Sequence, residues 1–210
     1  MSALFSSLQG HSKSIFTVAA VVLVFNAAAA GLAAFTEMAV TGEMLKEIFQ
    51  SAGYGLAFVG GLALYPALAE EGGWLSRIGA LLASLGVLAG TVLLTVALLN
   101  AANILAAEPS WVNPVGIGIG LGQLALALFG LAALRRKALP TSAGLALFGP
   151  LLVFIFFIVG AGVFGEEAVP YWVPFLTVSA QTVAHLAIAS SLPGDEQVAA
   201  VAQPQEPRTA

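Results

Sequence analysis

Six apolar stretches recur along the chain, each bounded by charged residues, glycine or proline. About 20 apolar residues in a helix cross a hydrocarbon core of roughly 30 Å. The pattern predicts spans over residues 14–35, 50–69, 74–105, 112–134, 141–164 and 170–192, hence an all-α polytopic membrane protein with six transmembrane helices in one bundle. The third run is longer than the bilayer is thick and is expected to tilt or project beyond one face. Breaks are marked by Glu70-Glu71-Gly72-Gly73, by Pro109 and Pro114, by Pro140, by Glu166-Glu167 and by Pro193-Gly194.

Polar segments fill the rest. Residues 1–13 read as a short cytoplasmic leader, and 193–210, charged and holding Pro204 and Pro207, as a disordered cytoplasmic tail. The run Ala27-Ala28-Ala29-Ala30 imitates a signal-peptide cleavage region, but its stretch is long enough to span and is taken as the first membrane helix. Between the first two spans, Glu37, Glu43, Lys46 and Glu47 alternate with Met44, Leu45, Ile48 and Phe49. That spacing predicts a short amphipathic surface helix leading into the second span.

Composition agrees with the pattern. The chain of 210 residues is 59% hydrophobic and only 9% charged, against roughly 25% charged in soluble domains. Its net charge of −4 includes no basic run suited to nucleic acid. The lipid bilayer is the expected partner, together with other membrane proteins or further copies of the chain.

The distribution of basic residues predicts an orientation. With the N-terminus cytoplasmic, Lys13, Arg77, Arg135, Arg136, Lys137 and Arg208 fall inside and Lys46 outside, which places the protein in the cell membrane with both termini cytoplasmic. Aromatic residues suited to the interfaces are Tyr54, Trp111, Tyr171 and Trp172 at the outer ends and Tyr65 and Trp74 at the inner ones.

Several chemistries are excluded within this chain. It has no cysteine, so no thiolate metal site, disulfide or cysteine nucleophile. Its two histidines, His11 and His185, lie on unrelated segments, so no bis-histidine haem site is expected, nor any covalent one. Asp195 is the sole aspartate, which removes a two-aspartate intramembrane protease, and H-E-x-x-H is absent. Rhomboid proteases also have six helices and a late histidine, but their Gly-x-Ser-Gly nucleophile motif is missing here and the fourth span has no serine. An enzyme is therefore not the expected reading.

What remains is polar interior. In the sixth span Thr177, Gln181 and His185 recur every four residues and form one stripe of a helix. Gln123 and Asn26 also fall near the midplane, and Asn100 and Asn103 in the outer part of the third span. An unpaired amide in hydrocarbon is costly, so these groups are expected to face the bundle and to hydrogen-bond one another, with Asn26 or Gln123 reaching the stripe. Gly116/Gly120 and Gly118/Gly122 make two small-xxx-small pairs on different faces, marking the fourth helix as one packed on more than one side. The bland reading of all this is glue in a structural or accessory subunit. Its rival is a transporter or sensor with a neutral polar site at Gln181, His185, Gln123 and Asn26.

Overall fold

The computed structural model describes residues 8, 11–105, 109–110, 112–164 and 172–194. Glu108, Trp111, Glu166, Glu167, Tyr171, most of the leader and the tail from residue 195 lie outside the described residues. Among those described there is helix and no strand. In lipid no water bonds the backbone, so each crossing segment must satisfy its own N–H and C=O groups, which a helix does. We number the helices α1 (Ser12–Phe35), α2 (Ala39–Ala69), α3 (Gly73–Ala101), α4 (Val112–Arg136), α5 (Thr141–Ala146), α6 (Gly149–Phe164) and α7 (Trp172–Ser191). With α5 and α6 sharing one crossing, six spans are long and apolar enough to cross a membrane. Both described ends of the chain then lie on one side, the terminal face. The α1–α2 connection lies on the other, the loop face.

Three boundaries differ from the expectation. The amphipathic segment is not a separate surface helix: α2 starts at Ala39 and runs unbroken into the membrane. No breaker lies between Phe49 and Ser51. Gly42 also backs so closely onto α1 that a Cβ there would sit 2.4 Å from the Ala33 nitrogen. This end of α2 is thus packed on protein, with a Lys46–Glu43 ion pair on its surface. The break after α2 narrows to one residue. Gly73 alone leaves helical geometry, at φ 59° and ψ −136°, a region open to glycine. The fifth span, expected as one helix, divides at Leu147-Phe148. Pro150 has no N–H for the Ala146 carbonyl, and its ring disfavours the preceding turn.

Two helix ends are closed by residues in the left-handed region. After α3, Asn103 (φ 55°) lets its own N–H bond the Asn100 carbonyl at 2.9 Å and the Ile104 N–H bond the Leu99 carbonyl at 2.9 Å. That is the Schellman arrangement, in which asparagine is the usual substitute for glycine. Lys137 (φ 55°) ends α4 similarly, the Ala138 N–H donating to the Ala133 carbonyl at 3.2 Å.

The bundle is built around α2 by small residues that admit a neighbour's side chain. On α1 the buried residues Phe16, Ala19, Leu23, Asn26 and Ala30 follow at spacings of three and four, one seam. Gly60 and Gly53 of α2 receive Phe16 and Leu23 of that seam. Phe58 of α2 fills a notch between Gly86 of α3 and Gly122 of α4, where the two backbones nearly touch. Gly118 faces Ala89 of α3, Gly120 faces the Phe154 ring of α6, and Gly116 faces open space. Gly130 of α4 lies against the Gly144 carbonyl of α5, and Gly149 of α6 against Ala184 of α7. Lipid tails are as apolar as leucine, so such close contact, and not water exclusion, holds the helices together. α1, α3 and α4 therefore pack on α2, α7 packs on α1, and α5 and α6 close the gap between α4 and α7. The fifth span is the least buried, and Leu152, Ile155, Phe156 and Val159 project outward to lipid.

Candidate functional site

α7 carries the polar stripe inward at two of its three positions. Gln181 and His185 are buried, at 1% and 0% exposure, and Thr177 is half-buried. The Thr177 hydroxyl donates to its own helix, to the Val173 carbonyl at 3.0 Å. Thr182, next to the stripe, was not singled out from sequence, yet it joins two helices: its hydroxyl is shared between the Val178 carbonyl and the Leu23 carbonyl of α1, both at 2.9 Å.

Gln181 reaches the broken span. Its Nε2 donates to the Pro150 carbonyl at 2.9 Å, which fixes α7 to the first turn of α6. The amide oxygen of Gln181 has no protein partner. His185 Nδ1 lies 2.8 Å from the Gln181 carbonyl. A carbonyl only accepts, so in neutral imidazole Nδ1 carries the proton and Nε2 holds a lone pair. That Nε2 is buried and unpartnered. The ring sits 5.9 Å from the ring of Tyr54, which in turn stacks on Phe58 at 6.4 Å. Tyr54 is therefore not an interfacial belt residue as expected but a wall of the interior, 6% exposed. Trp74 and Trp172, by contrast, are exposed near helix ends.

Gln123 is fully buried on α4. Gly122 and Leu126 of that helix meet α2, and Gly120 meets α6, so the 100° step per residue turns Gln123 to the gap between α2 and α6. Depth agrees. From the Gly120–Phe154 contact, Gln123 lies three residues and Pro150 four residues toward the terminal face, about 4.5 and 6 Å. Gln123 and Gln181 thus stand at one level on either side of the start of α6. Both side-chain polar atoms of Gln123 lack a protein partner.

The expected bonds between the stripe and Asn26 or Gln123 are not formed. Asn26 belongs to the buried seam of α1, and its amide atoms are also unpartnered. The remaining candidates close the end of α3. Asn100 is half-buried and, with Asn103, belongs to the cap of α3, where Asn103 is exposed. The contacts bring together Gln181, His185 and Tyr54 with the Pro150 carbonyl, while Gln123 is buried on α4. Among the described residues no group of three or more histidine, aspartate or glutamate side chains converges as a metal site would require.

No protein-family model, curated protein or solved structure matches the chain. The six-span helical architecture defines it as a membrane protein, and the interior geometry is the remaining guide to its function.

Proposed function

We propose that the protein is a multi-pass protein of the cell membrane, its termini cytoplasmic, that conducts a small uncharged molecule rich in O–H or N–H donors. The observation that carries this reading is the set of unpartnered polar atoms buried within the membrane-spanning bundle: both amide atoms of Gln123, Oε1 of Gln181 and Nε2 of His185. If they were glue they would bond one another, because an unmet polar group in hydrocarbon is expensive. Instead each is left without a protein partner, and Gln181 stands beside a break in a membrane helix. Irregular backbone at membrane depth is tolerated where it lines a cavity. Without a charged side chain on these walls, the chemistry suits a neutral hydroxyl- or amide-bearing solute and offers no counter-ion to an ionic one. The orientation rests on Lys13, Arg77, Arg135, Arg136 and Lys137, all at the terminal face, against Lys46 at the loop face.

An accessory role remains the second reading. It draws on the outward apolar face of α6, which lipid covers equally well. Osmotic reswelling of proteoliposomes tests the first reading, with glycerol and urea as the probes. Vesicles holding the wild-type protein are expected to reswell faster than protein-free vesicles, and Gln123→Leu vesicles at the protein-free rate. Equal rates for all three, with either probe, would remove the functional reading.

A further inference from the structure

A second polar feature opens from the loop face. Between α2, α3 and the start of α4 lies a cleft of about 160 Å³, with Glu47, Gln50 and Ser51 on its α2 side. Leu93 and Val96 of α3 and Val112 of α4 form its apolar walls. Its floor is set by the tight α2–α3 contact, where Gly90 abuts the backbone of Gly55 and the Ser51 carbonyl.

The polar residues of the cleft continue toward the interior site. Along α2, Glu47, Gln50, Ser51 and Tyr54 follow at steps of three, one and three, which places them on one stripe. Tyr54 is the next residue inward on that stripe, and its ring abuts His185. Tyr54 thus stands one step inward of the cleft residues Gln50 and Ser51 on the α2 stripe, with its ring against that of His185. The ring also rests on Phe58, which is held in the Gly86–Gly122 notch, so it is backed by packed protein and not by lipid.

We propose that this cleft is the entrance to the interior site and that the Tyr54 ring is the constriction between them. The inference rests on the functional reading above and adds to it the side of entry, the barrier and a charge preference. Glu47 places a carboxylate at the mouth, so neutral and cationic molecules enter more readily than anionic ones. A tyrosine suits the position: its rigid ring blocks passage and swings on two torsions only.

The chain has no cysteine, so single cysteines report access directly. In vesicles with a single protein orientation, an impermeant cationic methanethiosulfonate is added at the loop face. Ser51→Cys, in the cleft, is expected to react quickly and Gln123→Cys, behind Tyr54, slowly. Adding Tyr54→Ala is expected to speed reaction at Gln123→Cys by about tenfold or more, the effect of removing roughly 1.4 kcal/mol of barrier. Tyr54→Phe keeps the ring and is expected to keep the slow rate, which separates loss of the barrier from general loosening. At Ser51→Cys the cationic reagent should outpace an anionic one, and Glu47→Gln should narrow that ratio. Reaction at Gln123→Cys that is indifferent to Tyr54→Ala, or equally accelerated by Tyr54→Phe, overturns the proposal. Solute flux through the protein with Gln123 intact, measured in separate vesicles of the same composition, keeps the two claims apart. Flux without an effect of Tyr54 on labelling defeats the gate alone, whereas a Tyr54-dependent route without flux defeats the functional reading.

Discussion

Replacing the two interior glutamines by leucine should change stability in opposite directions. Gln123 is fully buried and neither of its amide atoms has a protein partner. Leucine has similar volume and nothing to desolvate, so Gln123→Leu removes a burial penalty of about 1–3 kcal/mol and leaves no neighbour orphaned. Gln181 differs because its Nε2 holds the Pro150 carbonyl. Gln181→Leu breaks that bond, and interhelical bonds in membranes are worth about 0.6 kcal/mol on average and up to about 1.7. It also strands a carbonyl at the broken turn, which adds to the loss, while relief of the unpartnered Oε1 subtracts from it. Gln123→Leu is therefore expected to stabilise and Gln181→Leu to destabilise by about 1 kcal/mol. Reversible unfolding in mixed micelles, followed by tryptophan fluorescence, measures both. A Gln123→Leu protein less stable than wild type by about 1 kcal/mol or more would show that Gln123 is a bonded structural residue, and the reasoning would fail.

Two further expectations concern packing and topology. Gly122→Val would drive a side chain into Phe58, whose ring lies within 2.6 Å of a Cβ at that position, and should cost about 1–3 kcal/mol in the same unfolding assay. Cysteines at the exposed positions Thr41 and Arg136 should label from opposite sides of intact cells, Thr41 from outside. Labelling of both from one side would contradict the six-span topology.

The spans were legible because bilayer thickness imposes a length that apolar runs either meet or miss. The inward turn of Gln181 and His185 was legible for a related reason, since four-residue spacing of polar groups has one inexpensive direction to face. Which neighbours they meet was not. In a membrane helix apolar residues occupy every side, so Asn26 and Gln123 look alike in sequence although one points into the α1 seam and the other toward the break in the fifth span. Tyr54 was misplaced for the same reason: a tyrosine five residues into a span fits an interfacial belt by position. Only the extension of α2 toward Ala39 sets it deeper in the helix. The break at Pro150 was readable in principle, because a proline within an apolar run removes one backbone donor. Its partner could not be read, since the Gln181 bond spans 31 residues and depends on how α7 docks.

The conducting role depends on what meets Gln123, Gln181 Oε1 and His185 Nε2. An experimental map of the protein in lipid, at a resolution that shows ordered water and small solutes, tests it most directly. Non-protein density is expected beside His185 Nε2, within hydrogen-bond reach of both glutamine side chains. A closed interior in which Gln123 donates straight to His185 Nε2, with no density between them, would contradict it.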